Sequence, residues 1–165
     1  MPERERPTKK PRLPRVPLSE PAAIRRPRGR ARIQALAGKA GAGSRSRSAV
    51  APEAVSLTRS DGRVVCERCI VASRPLRRMR GLLGRRSLPA DQGILLTPAG
   101  SVHTAFMRFP IDAVFLDREL VVVAIAADLR AWRAATRRGA HAVLELAAGE
   151  TQRRGLRVGD RLVAT

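Results

Sequence analysis

Aromatic side chains are scarce: the chain of 165 residues has three phenylalanines, one tryptophan and no tyrosine. Cysteine is limited to Cys66 and Cys69, which excludes a disulfide framework and supplies only half of a four-ligand structural zinc site. Histidine is limited to His103 and His141, so no second histidine lies at a ligand-like spacing from His103. No run approaches the roughly 20 apolar residues of a membrane span. The N-terminus also lacks the apolar core of a signal peptide, since charges and prolines alternate from Met1 to Val16. Acidic residues are few, 14 against 33 lysines and arginines, which leaves a formal charge of +19.

That charge is divided between two compositionally different parts. Residues 1–55 carry 14 basic and 4 acidic side chains and hold all three lysines, Lys9, Lys10 and Lys39. Residues 56–165 carry 19 basic and 10 acidic side chains and hold every aromatic residue. Ordering a residue costs about 1–2 kcal/mol, and the first part has almost nothing to bury in return. The sequence therefore predicts a disordered basic tail over 1–55 and one domain over 56–165, large enough to bury about 60–70% of its unfolded surface. The tail suits nonspecific nucleic-acid contact through counterion release, but it has no aromatic ring to stack on a base. As written the chain reads as cytoplasmic. After Met1 no methionine occurs until Met79, so a start site within the tail would need a valine or leucine codon.

Beyond the tail, turn signals divide short apolar runs. Gly62 to Val71, Gly93 to Thr97, Val102 to Met107, Ala140 to Leu146 and Arg161 to Ala164 read as strands. Ala113 to Leu116 and Leu120 to Ala127 form a hairpin around Asp117-Arg118-Glu119. One main helix is predicted from Ser73, with Leu76, Met79, Leu82 and Leu83 on one stripe and Gly84 as its stop. A short helical piece follows at Thr151 to Arg154. The expected fold is mainly β: a small antiparallel β-sandwich or partly closed barrel with one main short helix.

Four blocks carry a family resemblance. They are Arg80-Gly81-Leu82-Leu83-Gly84-Arg85, Gly93-Ile94-Leu95-Leu96, the stretch Met107-Arg108-Phe109-Pro110-Ile111-Asp112 running into Phe115-Leu116-Asp117, and Ala142-Val143-Leu144-Glu145-Leu146 with Gly149 and Gly159-Asp160. In order and spacing these resemble the bacterial and archaeal domain of unknown function 192 over about 100 residues. The resemblance implies a small, mainly β domain with a jelly-roll-like sandwich and no assigned activity. Some relatives carry leaders that suggest the cell envelope, where this chain has its basic tail.

Ser101 to Asp117 concentrates what the rest of the chain lacks, namely all three phenylalanines, His103 and two aspartates. Phe106, Phe109 and Phe115 read as core, and Pro110 with Asp112 as a corner between strands. His103, Arg108 and Asp112 are the candidate ligand-binding residues. A histidine beside a carboxylate can carry protons or hold a metal, which makes an enzyme of the hydrolase or metal-assisted kind, using His103 and Asp112, the alternative. A histidine satisfied by a backbone carbonyl and an aspartate capping a turn describe the same residues without chemistry. Arg77, Arg80 and Arg85 are the candidate anion-binding residues, since clustered guanidiniums attract phosphate and carboxylate. Cys66-Glu67-Arg68-Cys69 has redox-motif spacing, but in a regular strand residues three apart face opposite ways, so the thiols converge only at a bulge. The sequence thus leans towards a non-enzymatic module for a small ligand or protein partner, with no catalytic residue, metal or cofactor assigned.

Overall fold

The computed structural model describes residues 54–73 and 82–165. Nine strands and one helix are formed among them: β1 (Ala54–Arg59), β2 (Val64–Ala72), β3 (Gln92–Leu96), β4 (Ser101–His103), β5 (Ile111–Leu116), β6 (Val122–Leu129), β7 (Ala134–Thr136), β8 (Ala142–Ala147), α1 (Glu150–Arg153) and β9 (Leu162–Ala164). Seven strands make one sheet in the order β6-β5-β8-β3-β2-β1-β9, and β4 pairs with β7 as a separate ribbon. Every pairing is antiparallel except β2 with β3.

The central strands are apolar on both sides because both sides are covered. All six residues of β5 are buried, with Ile111, Ala113 and Phe115 packing into one cluster and Val114 and Leu116 into the other. The first cluster lies under the ribbon, whose Val102 and Ala135 face inwards, and also takes in Leu82 and Leu88. The second joins Leu57, Leu95, Leu144, Leu156 and Leu162 on the opposite face. A Cβ at Gly93 would meet the Cys66 sulfur and the Glu145 carbonyl oxygen at 3.0 Å, tighter than ordinary contact, so the close approach of β2, β3 and β8 favours a residue without a side chain there.

The two outer strands of the sheet approach one another at one end. Val121, just before β6, bridges Arg161, just before β9. The Val122 amide donates to the Asp160 carbonyl at 2.8 Å and the Leu162 amide to the Leu120 carbonyl at 2.9 Å. The contact stops there, so the sheet does not close into a barrel, and the second layer is a two-stranded ribbon rather than the full sheet of a sandwich. The mainly β expectation stands in this more specific form.

Individual elements differ from the sequence reading in instructive places. The Asp117 hairpin forms as expected, with the Asp117 carboxylate accepting from the amides of Glu119 and Val121, both at 2.9 Å. The short helical piece forms as α1, shifted by one residue. The main helix predicted from Ser73 falls largely on residues 74–81, outside the described residues. The strand expected over Val102 to Met107 is only β4, because the chain turns at Thr104. β1 and β7 were not anticipated, since neither carries a strong run of β-formers.

Candidate functional site

The sequence candidates lie apart in role. His103 is exposed at the end of β4, opposite Ala134 of β7, and shares the ribbon's outward face with Ser101 and Thr136. Arg108 is exposed in the turn leading to β5. Asp112 is fully buried, and its carboxylate accepts from the Asp128 amide at 3.0 Å, the Thr151 amide at 3.0 Å and the Thr151 hydroxyl at 2.6 Å. Its lone pairs thus join the β5–β6 bulge to the start of α1, and no hydrogen bond links it to His103. Arg77 and Arg80 lie outside the described residues, while Arg85 is half-buried and donates to the Gln92 side-chain oxygen at 3.3 Å. His141 is half-buried, and its amide donates to the Leu116 carbonyl at 2.7 Å.

A different pair of residues stands out on the surface. Phe106 is 73% exposed and Trp132 49% exposed, and their rings meet edge to face with centroids 4.6 Å apart. The expectation that Phe106 belongs to the core is therefore corrected; Phe115 is fully buried and Phe109 half-buried. Both exposed rings sit on left-handed backbone, φ 63° at Phe106 and 61° at Trp132. For bulky side chains that geometry costs about 1–2 kcal/mol each.

Buried Thr104 holds the two loops in this arrangement. Its amide donates to the Arg133 carbonyl at 2.9 Å, and its carbonyl accepts from the amides of Met107 and Trp132 at 3.2 and 3.1 Å. Its hydroxyl donates to the Arg130 carbonyl at 2.5 Å and accepts from the Arg133 amide at 3.0 Å. A single threonine thus saturates both turns and fixes the rings at the end of the ribbon. Exposed Arg108 and Arg130 flank them in sequence, Arg130 with a 3.3 Å ion pair to Asp128. Trp132 escaped the sequence reading. Its available signal was an isolated aromatic residue between arginines and alanines in a stretch with no apolar period.

Two further groups are unusual. Cys66 and Cys69 converge after all, because β2 bulges: Val55 pairs with Cys69 and Leu57 with Cys66, which leaves two residues of β2 opposite Ser56 alone. Both thiols are free, fully buried and in the same cluster. Glu145, 3% exposed, sits on β8 between Ala113 of β5 and Ile94 of β3, and its Oε2 has no hydrogen-bond partner. Burial alone pushes its carboxyl up to about 7. A polar cleft of about 380 Å³ lies between the β1–β2 turn and the loop before β9. Its Arg59 is occupied by Asp61, Asp160 and the Gly155 carbonyl. No group of three or more histidine, cysteine or acidic side chains that could hold a metal occurs among the described residues.

Comparison with known proteins places this architecture. The model of a family described as uncharacterised, domain of unknown function 192, matches residues 56–164. No curated protein matches the chain. Among solved structures, the chain is similar to a "putative transcription regulator" from Sinorhizobium meliloti 1021, with 26% identity and a TM-score of 0.62 over 72% of this chain and 98% of that one. It also shares its fold with a protein of unknown function from Novosphingobium aromaticivorans, at 24% identity and a TM-score of 0.60 over 74% of this chain and 99% of that one. With the matched span covering nearly all of the described fold, the chain belongs to the domain of unknown function 192 family.

Proposed function

We propose that this protein is a non-enzymatic binding module, and that its contact surface is the end of the β4–β7 ribbon around Phe106, Trp132, His103 and Arg108. The observation that carries this reading is the aromatic pair. Two large apolar rings are held out in solvent on strained backbone, in a chain that has only four aromatic residues to spend. Exposed tryptophan and arginine together are the composition of a binding hot spot. The net positive charge favours an anionic occupant, and we assign it as an acidic segment of a protein partner. Asp112, which the enzyme alternative needs beside His103, has its carboxylate engaged by Asp128 and Thr151.

Trp132 is the sole tryptophan, so the proposed site reports on itself by fluorescence. Peptides selected from a random library on the full-length protein are expected to be acidic, to shift Trp132 emission, and to lose at least about tenfold in affinity with Phe106→Ala, the scale of a hot-spot residue. Peptides with no acidic bias, or equal affinity for the variant, would overturn the reading. The same loops without rings should fold normally, since Phe106→Gly exchanges ring contact for relieved strain and should stay within about 1 kcal/mol of the parent.

A second reading is nonspecific nucleic-acid association through residues 1–55. It is favoured by the tail's excess of ten positive charges and by the description of the Sinorhizobium structure. A shortened chain for testing it should begin before Ala54, where β1 starts. Loss of salt-dependent DNA binding on removing the tail supports this reading, and equal binding by both chains removes it.

A further inference from the structure

We propose that Cys66 and Cys69 are an oxidisable dithiol, closed into an intrachain disulfide by a hydroperoxide. This inference is independent of the ring-pair surface and starts from the bulge. A regular strand would send the two side chains to opposite faces and keep their Cα atoms too far apart for a bridge. Here the amides of Glu67 and Arg68 both donate to the one carbonyl of Asp91, at 3.1 and 3.0 Å, which folds the extra residue into β2. The bulge shortens the span between the residues that flank it and turns both sulfurs to the same side. Cys66 and Cys69 stand opposite Leu57 and Val55, two residues apart on β1, so their Cα atoms are closer than three residues of regular strand would leave them, as a bridge requires.

The surroundings distinguish the two thiols. The Cys66 sulfur lies 3.7 Å from the Asp91 carbonyl oxygen and against Gly93. The Arg154 guanidinium lies over the same place, donating to the Val64 carbonyl at 3.0 Å and the Ala90 carbonyl at 2.6 Å. The neighbouring Cys69 thiol holds Cys66 below its ordinary range against the opposing effect of burial, with the Arg68 amide and the Arg154 charge acting in the same direction as Cys69. Cys69 is pushed far up by the same contact and by burial. Cys66 is thus the attacking thiolate and Cys69 the resolving thiol.

The chemistry balances with the peroxide as the sole oxidant. The Cys66 thiolate attacks one peroxide oxygen, the O–O bond breaks, and the departing hydroxide takes up a proton to leave as water. The resulting Cys66 sulfenic acid is then attacked by Cys69, which gives up its proton. The S–S bond forms, the S–O bond breaks, and a second water leaves. Two thiols and hydrogen peroxide become one disulfide and two waters. Because both sulfurs are fully buried, the first step waits on local opening beside the bulge, where exposed Glu67 and Arg68 flank the thiols.

The test is hydrogen peroxide treatment of the folded, full-length protein, followed by unfolding, alkylation and mass measurement. The chain has two cysteines, so an intrachain disulfide has only one assignment. The expected result is loss of both alkylation sites, a mass lower by two hydrogens, and recovery of both sites with dithiothreitol. Cys69→Ser should stop at a dimedone-reactive sulfenic acid, while Cys66→Ser should label at least about tenfold less. Two cysteines that still alkylate after peroxide, bridging only between chains, or oxidation to sulfinic acid without a disulfide would each overturn the proposal. If a serine variant fails to fold, peptide mapping of the parent protein decides the matter alone.

Discussion

Glu145 is where a single side chain departs furthest from what its surroundings favour. It enters an apolar face between Ala113 and Ile94 with one oxygen unpaired, and burial raises its carboxyl from 4.5 to about 7. A folded-state value above the unfolded one means that the folded chain holds the proton more tightly. This contribution is complete below about pH 4.5 and is lost as pH rises through 7. The loss amounts to about 3 kcal/mol across that window. Urea unfolding from pH 4.5 to 8 should show the decline in the parent and its absence in Glu145→Gln. The carboxylates of Asp61, Asp91 and Glu150, held below their ordinary range by arginines, lose their contribution at lower pH, and the groups common to parent and Glu145→Gln cancel in the comparison. Parallel curves for parent and variant would show that Glu145 is not the titrating group. The sequence hid this, because Glu145 between apolar neighbours reads as an outward-facing strand residue. Its burial comes from a second layer that covers the face.

Among elements, the joints decide more than the strands. Asp112 binds the amide of Asp128, itself left-handed at φ 48°, and both the amide and the hydroxyl of Thr151. One carboxylate therefore ties β5, the end of β6 and α1 together. Asp112→Ala strands these buried donors and should cost on the order of 3 kcal/mol, with Asp112→Asn costing less. A chemical denaturation midpoint unchanged by Asp112→Ala would show that the joint is dispensable. The Asp117 hairpin was legible in the sequence, because that aspartate bonds the nearby amides of Glu119 and Val121. The aspartate expected at the Pro110 corner instead lies within β5 and bonds the distant Asp128 and Thr151. The turn at Thr104 was not legible either. It depends on carbonyls of Arg130 and Arg133, more than twenty residues away, and so the strand expected to reach Met107 ends at His103. The same long-range bonds put Phe106 outside, where the local pattern placed it in the core.

For the whole molecule, the meeting of β9 with the start of β6 sets how completely the second cluster is sealed. Leu162 is 2% exposed, and its amide bonds the Leu120 carbonyl across that junction. Leu162→Ala should therefore destabilise the domain by about 2–5 kcal/mol, measured by urea unfolding. A loss under about 1 kcal/mol would mean that β9 is an ornament on the sheet edge.

The sequence by itself determined the charge imbalance, the mainly β class, the family and most strand positions. These follow from composition, period-two apolar runs and turn chemistry, which act over a few residues. Only the tertiary structure decided the parallel β2–β3 pairing, the ribbon as second layer and the exposure of the ring pair. It also decided the burial of Asp112 and Glu145 and the convergence of Cys66 with Cys69. Each of those depends on which distant strand or loop lies alongside, and local periodicity does not encode that.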